Sequence, residues 1–249
     1  MYTVDTLKTD LYEAGILPDD TLLIHSSMKK IGPVEGGADT VLDALMQYLG
    51  ERGLLLFPTL SYHLNAKNPE FSVSSTPTIV GILPELFRQR AGVVRSAHPT
   101  HSIAGFGKDA RSFLAGHEFF DTPCAPKSPW GRLMERNAKI AFIGTGIVCN
   151  TFLHGIEERA GVPNILTEEA AKLFVTLENG ERIAVPSRSH RCDPEHSQFY
   201  GKMYDDFVAA GALRTARFGD AEMIVLQSRP AGEIALKRLR EDPGYFTHM

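Results

Sequence analysis

The chain has 249 residues, of which 43% are hydrophobic and 22% charged, a composition that excludes disorder and predicts a globular protein with a buried core. Its formal charge is −4 at pH 7, and basic residues are interspersed with acidic ones rather than gathered into a stripe. Because binding to a phosphate backbone requires such a stripe, no nucleic acid is expected as a partner.

No targeting or membrane segment is expected. The N-terminal residues lack a long apolar region and a small-residue cleavage site, and no stretch approaches the roughly 18 apolar residues that span a bilayer. A cytoplasmic location is therefore predicted. Cys124, Cys149 and Cys192 are an odd number at wide spacings, which favours reduced thiols over a disulfide framework.

The first third of the chain alternates between helical and strand patterns. A helix is predicted over 3–15, where apolar residues recur at helical spacing. The compact apolar run 21–25 is typical of a strand buried on both faces, and it leads through a Gly-rich turn to a helix over 38–49. A second buried strand is predicted at 54–58. This order predicts a right-handed βαβ crossover.

The stretch 61–77 is polar, irregular and long for a connection in a compact domain. Long loops of this kind usually bind ligands, so it is a candidate substrate loop, with Tyr62 and Glu70 as predicted substrate contacts. The elements predicted after it are helices at 79–90, 109–115 and 130–136 and a third apolar strand at 140–144.

The sequence changes character after residue 165. A hairpin is predicted around an Asn-Gly turn signal, within an appendage over 165–190. A helix at 199–210, a strand at 223–227 and a last helix at 231–241 follow. The predicted fold class is α/β: a single domain over 1–249, with a central mixed sheet flanked by helices and a small antiparallel appendage in the C-terminal third.

The most informative segment for chemistry is 144–160. A buried strand ends in Gly-Thr-Gly, and Asn150 or Thr151 suits the N-cap of a helix that carries His154 and Glu157 on one face. That helix starts at the carboxyl edge of a strand, where α/β sheets bind ligands, and an imidazole oriented by a carboxylate is a suitable general base. The pattern fits equally a satisfied core histidine beside a solvated carboxylate.

Two polar segments are candidates for binding a phosphate-bearing ligand. Arg95, Ser96 and Ser102 lie beside a strand end, where they could hold phosphate or polar carrier groups, although a solvated loop explains them as well.

The other segment places Ser26 and Ser27 before Gly36 and Gly37 and a helix start, where a pyrophosphate could bind. A tight turn is the alternative. The pattern lacks the spacings of a nicotinamide or ATP site.

A metal-dependent hydrolase is an alternative reading of the histidine-rich loops. It would use His98, His101, His190, Cys192 and His196. No second Cys or His pair stands at the usual ligand spacing, so no metal is predicted.

In chain order, these segments resemble the aminoglycoside 3-N-acetyltransferase family from about Thr21 to the C-terminal helix. Several motifs in the family's order are harder to obtain by chance than any one of them. They are His25-Ser-Ser-Met-Lys-Lys-Ile-Gly32 with Gly36-Gly37, Gly81-Ile-Leu-Pro-Glu85-Leu-Phe-Arg88, Arg95-Ser-x-His98-Pro-x-x-Ser102-x-x-Gly105, Ser128-Pro-x-Gly-x-Leu133 and Thr151-x-x-His154-x-x-Glu157.

The resemblance implies an acyl-CoA donor such as acetyl-CoA and direct transfer to an amine without a covalent enzyme intermediate. His154 matches the family's catalytic histidine, Glu157 would orient the imidazole or contact the acceptor amine, and Thr151 would donate a hydrogen bond to the thioester oxygen. The motifs that would line the coenzyme channel contain Ser26, Ser27, Gly36, Gly37, Arg95, Ser96 and Ser102.

The acceptor is less clearly implied. A polycationic aminoglycoside is normally met by clustered carboxylates, yet 61–77 offers only Glu70 and also carries Lys67. The 3-amino group of an aminoglycoside and a different amine used in biosynthesis both remain candidates, and antibiotic resistance is a possible consequence. A non-catalytic CoA-binding protein is a further alternative. A homodimer is an expectation that the sequence does not test.

Overall fold

The computed structural model describes residues 1–191 and 199–248. Its helices and strands alternate through most of the chain. In chain order they are α1 Val4–Glu13, β1 Thr21–Ser26, α2 Ala38–Leu49, β2 Leu54–Pro58, β3 Glu70–Ser72, α3 Ile82–Phe87, β4 Val94–Arg95, β5 Ile103–Gly107, α4 Ala110–Leu114, α5 Pro129–Arg136, β6 Lys139–Ile143, α6 Thr151–Ala160, β7 Phe174–Thr176, β8 Arg182–Ala184, α7 Tyr204–Ala209, β9 Leu213–Phe218, β10 Ala221–Gln227 and α8 Ser228–Glu241.

A seven-stranded mixed sheet forms the centre, with strand order β4-β5-β2-β1-β6-β10-β9. β1 pairs in parallel with both β2 and β6, and the outer pairs are antiparallel. The predicted β1-α2-β2 crossover and the central mixed sheet are confirmed. The carboxyl ends of β1, β2 and β6 therefore meet at one edge of the sheet.

The three parallel strands are apolar on both faces because helices cover the sheet on either side. Leu22 and Ile24 of β1 belong to one core cluster, together with residues of α1, α2 and α3. Leu23 belongs to the opposite cluster, which includes residues of α5, α6 and α8. Successive side chains of a strand point to opposite faces, so a strand covered twice must be apolar throughout.

A separate three-stranded sheet has the order β3-β7-β8. The hairpin β7-β8 is antiparallel, as predicted. β3 pairs with β7 in parallel, although it lies within 61–77, the segment predicted to be an irregular loop. Phe71 of β3 is buried against Val175 and Val185, and this contact explains the strand. The appendage therefore draws on both the first and the last third of the chain.

Some helix bounds differ from prediction, and the strands β4, β5 and β9 were not predicted. α3 is shorter than the predicted 79–90 because Gly81, at φ 123°, forms its N-cap. Residues Tyr200–Met203 form a 3₁₀ turn before α7. β9 was not predicted, since it is an edge strand with mostly exposed polar residues in its middle. In the described residues, no helix is long and apolar enough to cross a membrane.

The helix α5 approaches its preceding loop closely at Gly131. A methyl group there would overlap the carbonyl oxygen of Pro126 and lie 2.8 Å from that of Ala125. We expect Gly131→Ala to lower the free energy of unfolding by about 1–3 kcal/mol, because backbone atoms have little freedom to move away. Chemical denaturation measures this loss. Gly146→Ala is the control, since its nearest contact would be 3.9 Å away; equal stability of the two variants would contradict the prediction.

Candidate active site

A cavity of about 680 Å³ opens at the carboxyl edge of the parallel strands. Its lining combines apolar side chains with hydroxyl, amide and imidazole groups. The residues that line it are Ile24, His25, Ser26, Pro58, Leu60, Tyr62, Ile79, Val80, Pro84, Thr100, His101, Thr145, Val148, Cys149, Asn150, Thr151, His154, Ser189, His190 and Tyr200. The described lining contains no carboxylate, lysine or arginine.

His154 reaches this cavity from the first turns of α6, with Glu157 one turn further along. The Nδ1 atom of His154 lies 3.3 Å from Oε2 of Glu157, whose side chain is 1% exposed. The hydroxyl of Tyr200 donates to the same carboxylate oxygen at 2.7 Å and lies 2.6 Å from Nδ1 of His154. Three groups from two separate segments therefore form one hydrogen-bonded unit.

This unit determines which nitrogen of His154 carries hydrogen. The single hydroxyl hydrogen of Tyr200 is used on Glu157, and a carboxylate can only accept. An imidazole that is neutral in this arrangement carries its hydrogen on Nδ1, facing the two oxygens, and has its lone pair on Nε2. A neutral imidazole in this tautomer is able to accept a proton from a molecule in the cavity.

A second histidine packs against the first. The ring centroids of His154 and His190 are 4.1 Å apart, and Nε2 of His190 lies 2.7 Å from Oε1 of Glu158. Glu158 also accepts hydrogen bonds from the hydroxyl of Thr122 and the backbone N–H of Cys124. Burial raises the pKa of Glu158, while burial and the nearby His154 lower the pKa of His190 well below its usual value.

Further buried histidines lie near His101, which itself lines the cavity. His98 lies 6.4 Å from His101 and 4.5 Å from His117, measured between ring centroids. Burial lowers the pKa of all three, for His117 to about 3. His98 accepts the backbone N–H of His101 at 3.1 Å, and His117 bonds the hydroxyl of Ser96 at 2.9 Å. These contacts give His98 and His117 structural roles.

Arg95 and Ser102, which the motifs associate with the coenzyme, form an internal network. The Nε atom of Arg95 donates to Oγ of Ser102 at 3.0 Å, and its Nη atoms donate to the carbonyl oxygens of Thr59 and Thr76. Arg95 and Ser96 line a second cavity of about 280 Å³. Arg95 and Ser102 thus anchor the segment 59–76. Neither residue belongs to the described lining of the main cavity.

The other predicted coenzyme residues are also divided. Ser26 lines the main cavity, but Ser27 is the N-cap of the 3₁₀ turn Met28–Lys30. Gly36 and Gly37, at φ 71° and 66°, turn the chain into α2 on an exposed surface. In the described lining of the main cavity, only Ser26 of these four is present.

The predicted substrate contacts differ in position as well. Tyr62 lines the cavity and is 59% exposed. Glu70 instead pairs with Arg182 at 2.7 Å across β3 and β8, away from the described cavity lining. Glu157 lies behind His154, which favours the orienting role over contact with an acceptor. Tyr200 and His190 were not predicted for this site, because no local spacing connects them to α6.

The metal-hydrolase reading gains no support from the described residues. Cys192 and His196 lie outside them, and the described part of the chain brings together a different group: Cys124, Glu158 and His190, whose potential ligand atoms lie within 4.8 Å of one another. Nε2 of His190 lies 2.7 Å from Oε1 of Glu158, and the Cys124 thiol lies 3.9 Å from the carbonyl oxygen of Thr151.

Comparison with known proteins agrees with the motifs. The profile of the family described as aminoglycoside 3-N-acetyltransferase matches residues 23–240. Aminoglycoside N(3)-acetyltransferase VII of Streptomyces paromomycinus is 29% identical, over 96% of this chain and 91% of that protein. Aminoglycoside N(3)-acetyltransferase IX of Micromonospora chalcea is 28% identical, over 94% and 92%. The crystal structure of aminoglycoside acetyltransferase AAC(3)-Xa matches with a TM-score of 0.84 at 28% identity, covering 96% of this chain and 93% of that one.

These matches place the chain among the acyl-CoA-dependent N-acyltransferases, whose cosubstrate here is acetyl-CoA. The chain belongs to the aminoglycoside 3-N-acetyltransferase family. The resemblance read from the motifs is thereby confirmed.

The buried histidines predict loss of stability in acid. Burial lowers the pKa of His25 to about 3. Between pH 6.5 and about 3, His25 therefore binds a proton in the unfolded chain but not in the folded protein. Stability must then rise with pH over this interval and fall on acidification. We expect His25→Leu to reduce the slope of unfolding free energy against pH by up to about 1.4 kcal/mol per pH unit, measured by urea denaturation at pH 4.5 to 7.

The control for this experiment is His63→Gln, because the side chain of His63 is exposed. An unchanged slope in His25→Leu, or an equal change in the control, would show that the burial of His25 does not make the protein acid-labile.

Proposed function

We propose that the chain transfers the acetyl group of acetyl-CoA directly to a primary amine, with Nε2 of His154 as the general base. The observation that supports this most is the hydrogen-bonded unit of His154, Glu157 and Tyr200 beside the cavity. It leaves Nε2 of a neutral imidazole unprotonated and fixes the ring.

In the proposed reaction, the neutral amine nitrogen attacks the thioester carbonyl carbon and the new C–N bond forms. His154 accepts one proton from that nitrogen at Nε2. The C–S bond breaks, the sulfur leaves as a thiolate, and the imidazolium returns the proton to it, giving the amide and a free thiol. Glu157 and Tyr200 stabilise the imidazolium through Nδ1.

Thr151 is proposed to assist at the carbonyl oxygen. It lies one turn before His154 on α6, is 7% exposed and lines the same cavity. A hydroxyl donor in a site that largely excludes water stabilises the negative charge that develops on the thioester oxygen as the amine attacks.

For the acceptor, two candidates are supported by different observations. The names of the matched relatives support the 3-amino group of an aminoglycoside. The described lining of the cavity favours an amine with little charge, since it offers neutral groups and Glu70 is paired with Arg182 on the surface. A polycation is normally bound by carboxylates, whose attraction is strongest where water is excluded.

A thiol-release assay with acetyl-CoA tests the function. The acceptors should include sisomicin and apramycin as polycations and a matched set of singly charged primary amines. Release with any amine, together with a sequential kinetic pattern and no acetyl group on Cys149 by mass spectrometry, supports direct transfer. Failure to bind CoA by calorimetry and to release thiol with every acceptor would overturn the proposal.

His154→Ala should lower kcat by roughly 10² to 10⁴, the usual contribution of a positioned general base, while the melting temperature stays close to that of the parent. Added imidazole should restore part of the rate, because the lost base is then supplied from solution. Steady-state kinetics with and without imidazole measure both effects. Near-parental turnover in this variant would remove His154 from the proposed role.

Tyr200 is proposed as a positioning residue that acts through His154. Tyr200→Phe should lower kcat about tenfold, the effect of one lost hydrogen bond, with little change in KM for acetyl-CoA. The double variant with His154→Ala should be no slower than His154→Ala alone, because the hydroxyl has nothing left to orient. Additive losses in this cycle would show that Tyr200 acts independently of His154.

A further inference from the structure

Asn150 is a buried polar residue that the fold itself does not use. Its side chain is 0% exposed and lies in the wall of the cavity. Neither Oδ1 nor Nδ2 has a hydrogen-bond partner among the residues that the structure describes. A buried amide group without partners destabilises a folded protein by about 1–3 kcal/mol, so native proteins rarely leave one unpaired without a reason.

The position of Asn150 makes its missing partners more informative. It is the N-cap of α6, where an asparagine side chain usually accepts a backbone N–H of the first helical turn. Here the side chain makes no capping hydrogen bond, and the backbone at φ −77°, ψ 84° directs the chain into the helix without it. Neither the helix nor the described core therefore accounts for this carboxamide.

Two other groups in the lining of the same cavity share this property. Nε2 of His25 and Oγ of Ser26 are buried and lack partners in the described part of the chain. They lie at the carboxyl end of β1, which is hydrogen-bonded to β6, the strand that leads to Asn150. Burial keeps His25 neutral, with its pKa lowered to about 3. The lining of the cavity thus includes several buried polar groups without partners among the described residues.

We infer that Asn150 recognises an amide group of a bound ligand. The carboxamide offers an NH₂ group that donates and a carbonyl oxygen that accepts, so it suits an uncharged ligand segment that supplies an acceptor and a donor in return. The inference rests on the proposed function and deepens it. Two ligands of that function carry such chemistry: the pantetheine arm of acetyl-CoA, which contains two amides, and an acceptor amine that bears an amide.

The first measurement separates stability from binding. Asn150→Leu replaces the amide with an apolar side chain of similar size and removes the unpaired groups, so the free protein should melt at the same temperature or higher. If the amide belongs to the coenzyme, the dissociation constant for CoA, measured by calorimetry without turnover, should rise about tenfold. Asn150→Ala should weaken binding in the same direction without adding bulk.

Truncated donors then identify which ligand carries the amide. If the donor does, Asn150→Ala should lower kcat/KM about tenfold with acetyl-CoA and S-acetylpantetheine and leave it unchanged with an amide-free thioacetate ester. If the acceptor does, the same loss should appear in the KM of an amide-bearing amine and be absent for its amide-free analogue. Either pattern supports the inference.

Ser128→Ala is the matched control. The Oγ atom of Ser128 is also buried without a partner in the described residues, at the N-cap of α5 and outside the described cavity lining. Its removal should leave CoA binding unchanged.

Unchanged CoA affinity and unchanged acceptor KM in both Asn150 variants would overturn the inference, and so would a fall in melting temperature without a change in binding. Loss of function in the parent protein is a different result: it would overturn the proposed function and the inference that rests on it.

Discussion

The parallel pairing of β1 with β2 and β6 is the constraint on which the site depends. Parallel strands have their carboxyl ends at the same edge of a sheet, so the loops that follow β1, β2 and β6 all start at that edge. The cavity occupies that edge, and α6 starts there after the short connection from β6. Ser26 and His154, distant in sequence, thereby line one space because the register of these strands aligns them.

The chemistry of the described site relies on neutral polar groups. Burial lowers the pKa values of His25 and His190, and the carboxylates that the described residues place against His154 and His190 are the buried ones of Glu157 and Glu158. A site of this kind suits amine acylation, because a protonated base could not accept the proton of the attacking nitrogen. The described lining also carries no lysine, arginine or carboxylate side chain, and this is the reason for considering an acceptor amine with little charge.

Several residues of the recognised motifs support the cavity rather than line it. Arg95 donates hydrogen bonds to Oγ of Ser102 and to the carbonyl oxygens of Thr59 and Thr76. Its Cζ atom lies 4.7 Å from the ring centroid of Phe71. These contacts attach the segment 59–76, which contains β3, to the central sheet. A motif in a family can therefore mark a residue that positions the wall of a site, and sequence alone does not separate this role from ligand contact.

The sequence by itself determined the apolar parallel strands, the βαβ unit and the helix that carries His154 and Glu157, because their periodicity and spacing are local. Only the tertiary structure placed Tyr200 between those two side chains and packed His190 on the ring, since both come from distant segments without a local signal. It also decided that the Asn150 side chain leaves the helix cap and that β3 joins the hairpin. Packing makes these choices, because burial and pairing depend on which surfaces meet after the chain has folded.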